Sequence, residues 1–341
     1  MMQARSKGDN DSGQGDSGQG SKTGMGIGGP IMNAYALLIG VGNCKYTDWS
    51  LPVSSLDARE LRQTLADPTL CAYPAEQIRV LSDEQATRNG ILQAIDELAQ
   101  KPADQGDATV LIYYSGHGWR QKTDGGERFF LIPHDVNPMK LTESALPAED
   151  FVNGLRKIRA RRVLMLLDTC HAAGMAEAKD AVADFLPDSF SQEALPEALI
   201  QELSQGEGRA VFLSCRESQK SWILPDDGSL SIFTHHLLAG LRGAAAAPDD
   251  TTVTVSGLMG YLSNSIPVSA QEIGKEQTPF FKFETEDFPV ALVRGGKGLP
   301  ESGAIPEAPA PIPTVSVGNI KTGGDSFVAG QIGSITTRSS K

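Results

Sequence analysis

Paired cysteines, a basic surplus and long apolar runs are all missing from this chain. The four cysteines (Cys44, Cys71, Cys170 and Cys215) contain no CxxC spacing. They are too few for a disulfide scaffold, and a reducing cytoplasm is the expected setting. Thirty Lys and Arg stand against 42 Asp and Glu, a formal net charge of −12. That balance argues against a nucleic-acid or anionic-membrane surface, each of which calls for clustered Lys and Arg. No apolar run approaches the roughly 18 residues of a membrane span. The first residues carry no apolar segment behind their basic positions, so no secretory leader is expected. HExxH is absent as well, so metal catalysis is not expected and no cofactor is required.

What is present is the material of a globular core: 40% hydrophobic residues with 21% charged. A length of 341 residues suggests two domains, or one domain with appendages. Residues 1–30 are low in complexity, with SGQGDSGQG an imperfect repeat, and are expected to be disordered. From Ala34 the pattern becomes α/β. AYALLIGVG reads as a buried strand. Leu56, Leu61 and Leu65 mark a helix stopped by Pro68, and Ile78 to Leu81 is a short strand. Thr87 is a plausible N-cap for a helix with Ile91, Leu92, Ile95 and Leu98 on one stripe. FFLIP, a helix near 148–159, AVFLSC, helices near 231–241 and 255–265, and a strand around PFFKF follow. This alternation predicts a three-layer α/β sandwich: a mostly parallel central sheet with helices on both faces.

Two apolar runs end in chemistry. VLIYYSGHG delivers His117 and VLMLLDTCHAAG delivers Cys170. Parallel strands of an open α/β sheet bring their following loops to one edge, where ligands bind. Two such strands side by side would bring an imidazole and a thiol together. Glycines on both sides of His117 leave backbone N–H groups open to a ligand. His117 is therefore read as general base and then general acid, and Cys170 as nucleophile. Gly118 N–H and Cys170 N–H are the oxyanion donors. An isolated thiol is more often a packing residue, and it is the SGHG partner that decides against that here.

SGHG and DTCHAAG resemble the His and Cys motifs of the caspase-like cysteine peptidases (peptidase family C14), especially the bacterial metacaspase-like, or orthocaspase, branch. LLIGVG, DAREL, FFLIPHD, SCRESQ and FTHHLL are similar to supporting segments of that family, over about 35–283. Ala172-Ala173 departs from the Ser-Gly usual after the Cys-His pair, and Cys44 sits where a longer polar loop is common. The resemblance implies a caspase-like fold, an endopeptidase passing through a thioester acyl-enzyme, and protein or peptide substrates. It further implies a p20-like catalytic part over 34–175, a p10-like part over 209–290 that completes the sheet, and between them an acidic insertion or linker over 176–208. That insertion holds eight acids and one base.

Asp168, two residues before the nucleophile, is the specificity candidate. A carboxylate beside the Cys favours Lys or Arg at P1 and repels Asp. The DxC pattern of the resemblance implies cleavage after basic residues, whereas Asp168 could also simply cap a following helix. Glu217 is a weaker candidate for the same pocket. Lys179 and Arg209 are the basic positions at which the insertion could be self-cleaved. His134, His171, His235 and His236 are read as core or surface residues. Ca²⁺ activation is known in some metacaspases, and Asp124, Glu127, Asp135 and the acids of the insertion are candidates without an assigned site. Residues 291–313 read as a Gly/Pro-rich linker. In 314–341, VSVGNI and GQIGSI flank a Gly-Gly-Asp turn. Such β-prone repeats resemble short amyloid-type signalling motifs that pair with a homotypic partner, a role in stress or defence signalling. The competing class is a catalytically silent scaffold of the same fold. A Cys-dependent phosphatase is excluded because Ala176 stands where its phosphate-binding Arg is needed.

Overall fold

The apolar runs become the strands of one sheet. The structure is a computed structural model that describes residues 33–101, 107–169, 189–192, 195–216, 219–225, 230–283 and 285–298. In chain order the strands are β1 (Ala34–Gly40), β2 (Ile78–Ser82), β3 (Thr109–Gly116), β4 (Gly118–Thr123), β5 (Gly126–Leu131), β6 (Leu146–Pro147), β7 (Arg162–Thr169), β8 (Phe190–Gln192), β9 (Arg209–Leu213), β10 (Thr252–Thr254), β11 (Phe280–Phe283) and β12 (Pro289–Leu292). The helices are α1 (Pro52–Ala66), α2 (Arg88–Gln100), α3 (Leu141–Ser144), α4 (Ala148–Arg156), α5 (Glu197–Ser204), α6 (Ile232–Ala239) and α7 (Val255–Glu272).

The main sheet runs in the order β11-β9-β7-β3-β1-β2. All its pairs are parallel except β11, which lies antiparallel on β9 at the edge. Strand alternation sorts its residues between two layers. Val110, Ile112, Tyr114, Val163, Met165 and Leu167 face α2, α4 and α5. Leu111, Tyr113, Leu164 and Leu166 face α1, α6 and α7. This is the α/β sandwich expected from the sequence, a mixed sheet with helices on both faces.

Local chemistry fixes the helix ends near the sheet. Thr87 Oγ1 accepts from the Gly90 N–H at 3.0 Å, capping α2 as expected. Gly40 ends β1 against the first turn of α1. A Cβ there would meet the Ser54 carbonyl oxygen at 2.3 Å, so only glycine admits this approach.

Two segments depart from expectation. Residues 176–208 are not wholly an exposed insertion, because their described part builds β8 and α5. Leu195, Leu199, Ile200 and Leu203 are buried in the core. Each such burial contributes about 1.5–3 kcal/mol, which outweighs the acidic composition that suggested a linker. The expected linker likewise starts too early. β12 pairs with β10 through residue 292, and Val290, Ala291 and Val293 are buried. A small antiparallel sheet, β6-β5-β4-β8, lies beside the carboxyl end of β3. The FFLIP run marks β5, whereas β4, β6 and β8 have no clear signal in the sequence.

Candidate active site

The register between β3 and β7 governs the site. Ser115 lies opposite Asp168 and Gly116 opposite Thr169. In sequence, His117 and Cys170 directly follow the last residues of two adjacent parallel strands, which run about 4.8 Å apart. Cys170 itself lies outside the described residues, as do His171, Glu217, Lys179 and the segment 314–341.

His117 occupies the single-residue link between β3 and β4 and is buried, at 3% exposure. Its carbonyl accepts from the Ile132 N–H at 3.1 Å, which ties the link to the end of β5. The Tyr114 hydroxyl donates to the same carbonyl at 3.4 Å. A Cβ on Gly116 would stand 2.9 Å from that hydroxyl, so the glycine before the imidazole is required for Tyr114 to reach across. Gly118 opens β4 opposite Leu131. The imidazole Nδ1 lies 3.4 Å from Nε2 of the Gln192 side chain, reached from β8.

Asp168 is the last inward residue of β7 on the α1/α6 side and is fully buried. Its Oδ2 accepts from Ser231 Oγ at 2.6 Å. Ser231 is also the N-cap of α6, its Oγ accepting from the Thr234 N–H at 2.9 Å. The same residue's backbone N–H donates to Asp57 Oδ1 on α1 at 3.1 Å. One serine thus bridges two buried carboxylates from different elements. The Tyr113 hydroxyl completes the cluster, 2.7 Å from Thr234 Oγ1. Burial first, then the negative charges of Asp57 and Asp168, hold the Tyr113 phenol well above its ordinary range. Taking two carboxylates out of water costs several kcal/mol each, a cost that their hydrogen bonds to Ser231 offset in part.

Asp57, Ser231 and Gln192 were not legible as site residues. For Asp57 a signal existed: it lies three residues after Ser54 and four before Leu61, both buried, and so falls on the core side of α1. An acid on the apolar stripe of a helix warranted notice.

The other titratable candidates are structural in the described residues. Burial pushes the thiols of Cys44, Cys71 and Cys215 up to about 12, with Asp83 adding to Cys44 and Asp168 to Cys215. His134 bonds the Asn43 carbonyl through Nδ1 at 2.7 Å. His236 bonds Ser269 Oγ at 2.8 Å. Arg209 is not a free cleavage point. It is the first residue of β9, paired with Val163, and its buried guanidinium donates to the Ile158 carbonyl at 2.8 Å. A protease would have to unpair the strand to reach the bond that follows it.

Among the described residues the calcium candidates do not converge. Glu127 pairs with Arg120 at 3.3 Å, and Asp135 accepts from the Arg88 N–H at 2.9 Å. Among the described residues no three His, Cys, Asp or Glu side chains form a metal cluster. Also among them, no helix is long and apolar enough to cross a membrane.

A curated "probable protease" from a Desulfuromonadales bacterium is 26% identical over 231 residues, 63% of this chain and 27% of that protein. The chain thus spans well under half the length of that relative. Among solved structures, caspase-1 from Spodoptera frugiperda matches with TM-score 0.46 and 10% identity, over 79% of this chain and 92% of that one. The Drosophila initiator caspase Dronc matches with TM-score 0.47 and 7% identity, over 80% and 87%. The family profile of the caspase domain, Peptidase C14, covers residues 33–288, from β1 to the threshold of β12 and through both runs that carry the His and Cys motifs. This chain belongs to the caspase-domain family, peptidase family C14.

Proposed function

We propose that this chain is a cysteine endopeptidase with a His117–Cys170 dyad that cleaves after Arg or Lys. The observation that carries the reading is the parallel register of β3 and β7, with Gly116 opposite Thr169 immediately before the imidazole and the thiol. In the reaction the Cys170 thiol gives its proton to His117 and its sulfur attacks the scissile carbonyl. The resulting oxyanion is met by the Gly118 and Cys170 N–H groups, each worth a few kcal/mol of barrier. The C–N bond then breaks, the amine leaves with the proton from His117, and water hydrolyses the thioester.

Specificity rests on the buried pair beneath. A guanidinium or ammonium entering beside Asp168 and Asp57 compensates two carboxylates that the fold has already desolvated, whereas an acidic P1 adds a third negative charge. Glu217 stays a second candidate for the same pocket. The substrates are proteins or peptides with a basic P1.

The test is hydrolysis of matched fluorogenic peptides ending in Arg, Lys or Asp by wild type, Cys170→Ala and Asp168→Ala, with and without Ca²⁺. Turnover of Arg or Lys peptides that vanishes in Cys170→Ala and collapses in Asp168→Ala is expected. Turnover of the Asp peptide instead overturns the specificity. A folded protein that cleaves none of them overturns the peptidase reading in favour of a scaffold.

A further inference from the structure

The segment between α7 and β11 is fastened to the loops around the two buried carboxylates. Gln277 lies in it at 1% exposure, with both polar atoms of its side chain in use. Its Nε2 donates to the Ser214 carbonyl at 3.0 Å and to Ser221 Oγ at 3.4 Å. Its Oε1 accepts from the Trp222 N–H at 3.0 Å. The partners fix which way the amide faces, because a backbone carbonyl can only accept and a backbone N–H can only donate.

These bonds close a circuit at the sheet edge. Ser214 follows β9, and its N–H donates to the Leu167 carbonyl of β7 at 3.0 Å. Residues 222–224 run antiparallel to 230–232, with Ile223 bridged to Ser231 and the Ile232 N–H on the Trp222 carbonyl at 2.8 Å. Ser231 then returns to β7 through Asp168. The path leaves β7 at Leu167 and rejoins it one residue later, with Gln277 as the link between β9 and the ribbon 222–232.

Two paired stretches of three residues do not hold a geometry by themselves. The segment 275–278 holds this one at several points. Gln219 and Thr278 exchange two hydrogen bonds, at 2.8 and 3.3 Å. Trp222 Nε1 donates to the Glu276 carbonyl at 3.2 Å, and Lys275 Nζ lies 4.5 Å from the centre of the Trp222 ring.

We propose that Gln277 is a positioning residue for the P1 pocket, a role that rests on the reading of Asp57 and Asp168 as the site of a basic P1. Through Trp222 it sets where the ribbon presents Ser231. Ser231 in turn holds both carboxylates, Asp168 by its hydroxyl and Asp57 by its N–H. A displacement of about 1 Å passed along this path is enough to spoil the fit to a guanidinium. A carboxamide suits the task because it donates and accepts without charge. Methionine at 277 fills the space and makes neither bond.

The experiment compares wild type, Gln277→Met and the milder Gln219→Met on matched peptides ending in Arg or in citrulline, its uncharged isostere. Kinetics are read beside amide hydrogen exchange at Ser231 and Ile232, with Leu37 on β1 as the control. Gln277→Met should lower the Arg-over-citrulline ratio of kcat/KM about tenfold to a hundredfold. The loss should come chiefly from KM, since the carboxylates hold the P1 side chain and not the reacting bond. Exchange should quicken at Ser231 and Ile232 and not at Leu37. Gln219→Met should move both readouts the same way by less, and it decides the matter if Gln277→Met does not fold. A residue that serves stability alone would lower the unfolding midpoint and leave the ratio untouched. A folded variant whose ratio matches that of wild type, or whose Ser231 exchanges as in wild type, overturns the proposal. If wild type cleaves neither peptide, exchange decides alone. Quickening confined to the ribbon supports the coupling and only the peptidase reading fails, whereas unchanged exchange overturns the coupling itself.

Discussion

The two faces of the main sheet are filled by different rules. Towards α2, α4 and α5 the inward residues of β3 and β7 are apolar through Tyr114 and Leu167, and Gly116 and the uncharged Thr169 close the row, with Tyr114 packed edge-on against Phe151 at 5.8 Å. Towards α1, α6 and α7 the strands start in the same way, with Leu111, Leu164 and Leu166. They end in Ser115 and Asp168, opposite one another and met by Asp57 and Ser231. The first face holds the sheet together, whereas the second gives up apolar burial in its last layer to place two carboxylates. A layer that lowers stability is kept only where something else needs it.

The largest effect should come from breaking the second face at its polar end. Asp168→Ala should lower kcat/KM for Arg and Lys peptides about a hundredfold or more, since removing one partner of a buried charge pair costs about 2–5 kcal/mol. Leu167→Ala, its neighbour on the apolar face, should lower the unfolding free energy by a similar amount and spare the preference for basic over acidic P1. Peptide kinetics beside denaturant unfolding checks both. Equal loss of specificity in the two variants would erase the distinction between the faces.

A comparable loss, now of stability, should follow Leu203→Ala on α5. Leu203 is fully buried among the apolar-face residues, although it lies in a stretch whose acids suggested a linker. Truncation should cost about 2–5 kcal/mol, read as a shift in urea midpoint. A change within about 0.5 kcal/mol, the range typical of surface positions, would return α5 to the status of an appendage.

Acid should also act on the second face. Burial, followed by the charge of His235, lowers the His236 imidazole from its ordinary value of 6.5 to about 4. Its folded pKa is depressed, so the unfolded chain binds more protons between these values. The stability contributed by the neutral ring is fully present above about 6.5 and is lost as pH falls towards 4. The loss is up to about 3 kcal/mol, and His236→Gln should flatten that part of the stability profile. An unchanged profile would mean that His236 titrates as freely in the fold as out of it.

The legibility of these regions follows their physics. β1, β3 and β7 are buried on both sides, so their runs are continuous and apolar and show in the sequence. His117 stood out because it is framed by glycines at the end of such a run. β4 reads GWRQKT, half exposed and without alternation, and β8 is three residues of a polar stretch. Their pairing depends on partners far along the chain, which local pattern cannot express. Gln192 was hidden with them. α5 was masked by net charge, because composition counts the acids of its outer face and ignores the spacing of Leu199, Ile200 and Leu203 on its inner one. Asp57 was hidden differently, as the one buried acid inside a helix whose apolar stripe is read from Leu56, Leu61 and Leu65 alone.

The smallest effect should be the most discriminating, because Ser231 does two things at once. Its Oγ caps α6 by accepting from Thr234 N–H, and it donates to Asp168. Ser231→Ala should cost about 1 kcal/mol of stability as a lost cap. Ser231→Gly should cost only a few tenths as a cap, because glycine suits that position almost as well. Both variants remove the same hydrogen bond from Asp168. If Ser231 serves only the helix, the two should differ in activity as they differ in stability. If it also orients the carboxylate for a basic side chain, both should lose selectivity for Arg and Lys over Asp peptides to the same extent, whatever their melting temperatures. Equal selectivity loss with unequal stability would assign Ser231 to both structure and recognition, and would place the end of the second face in the binding site.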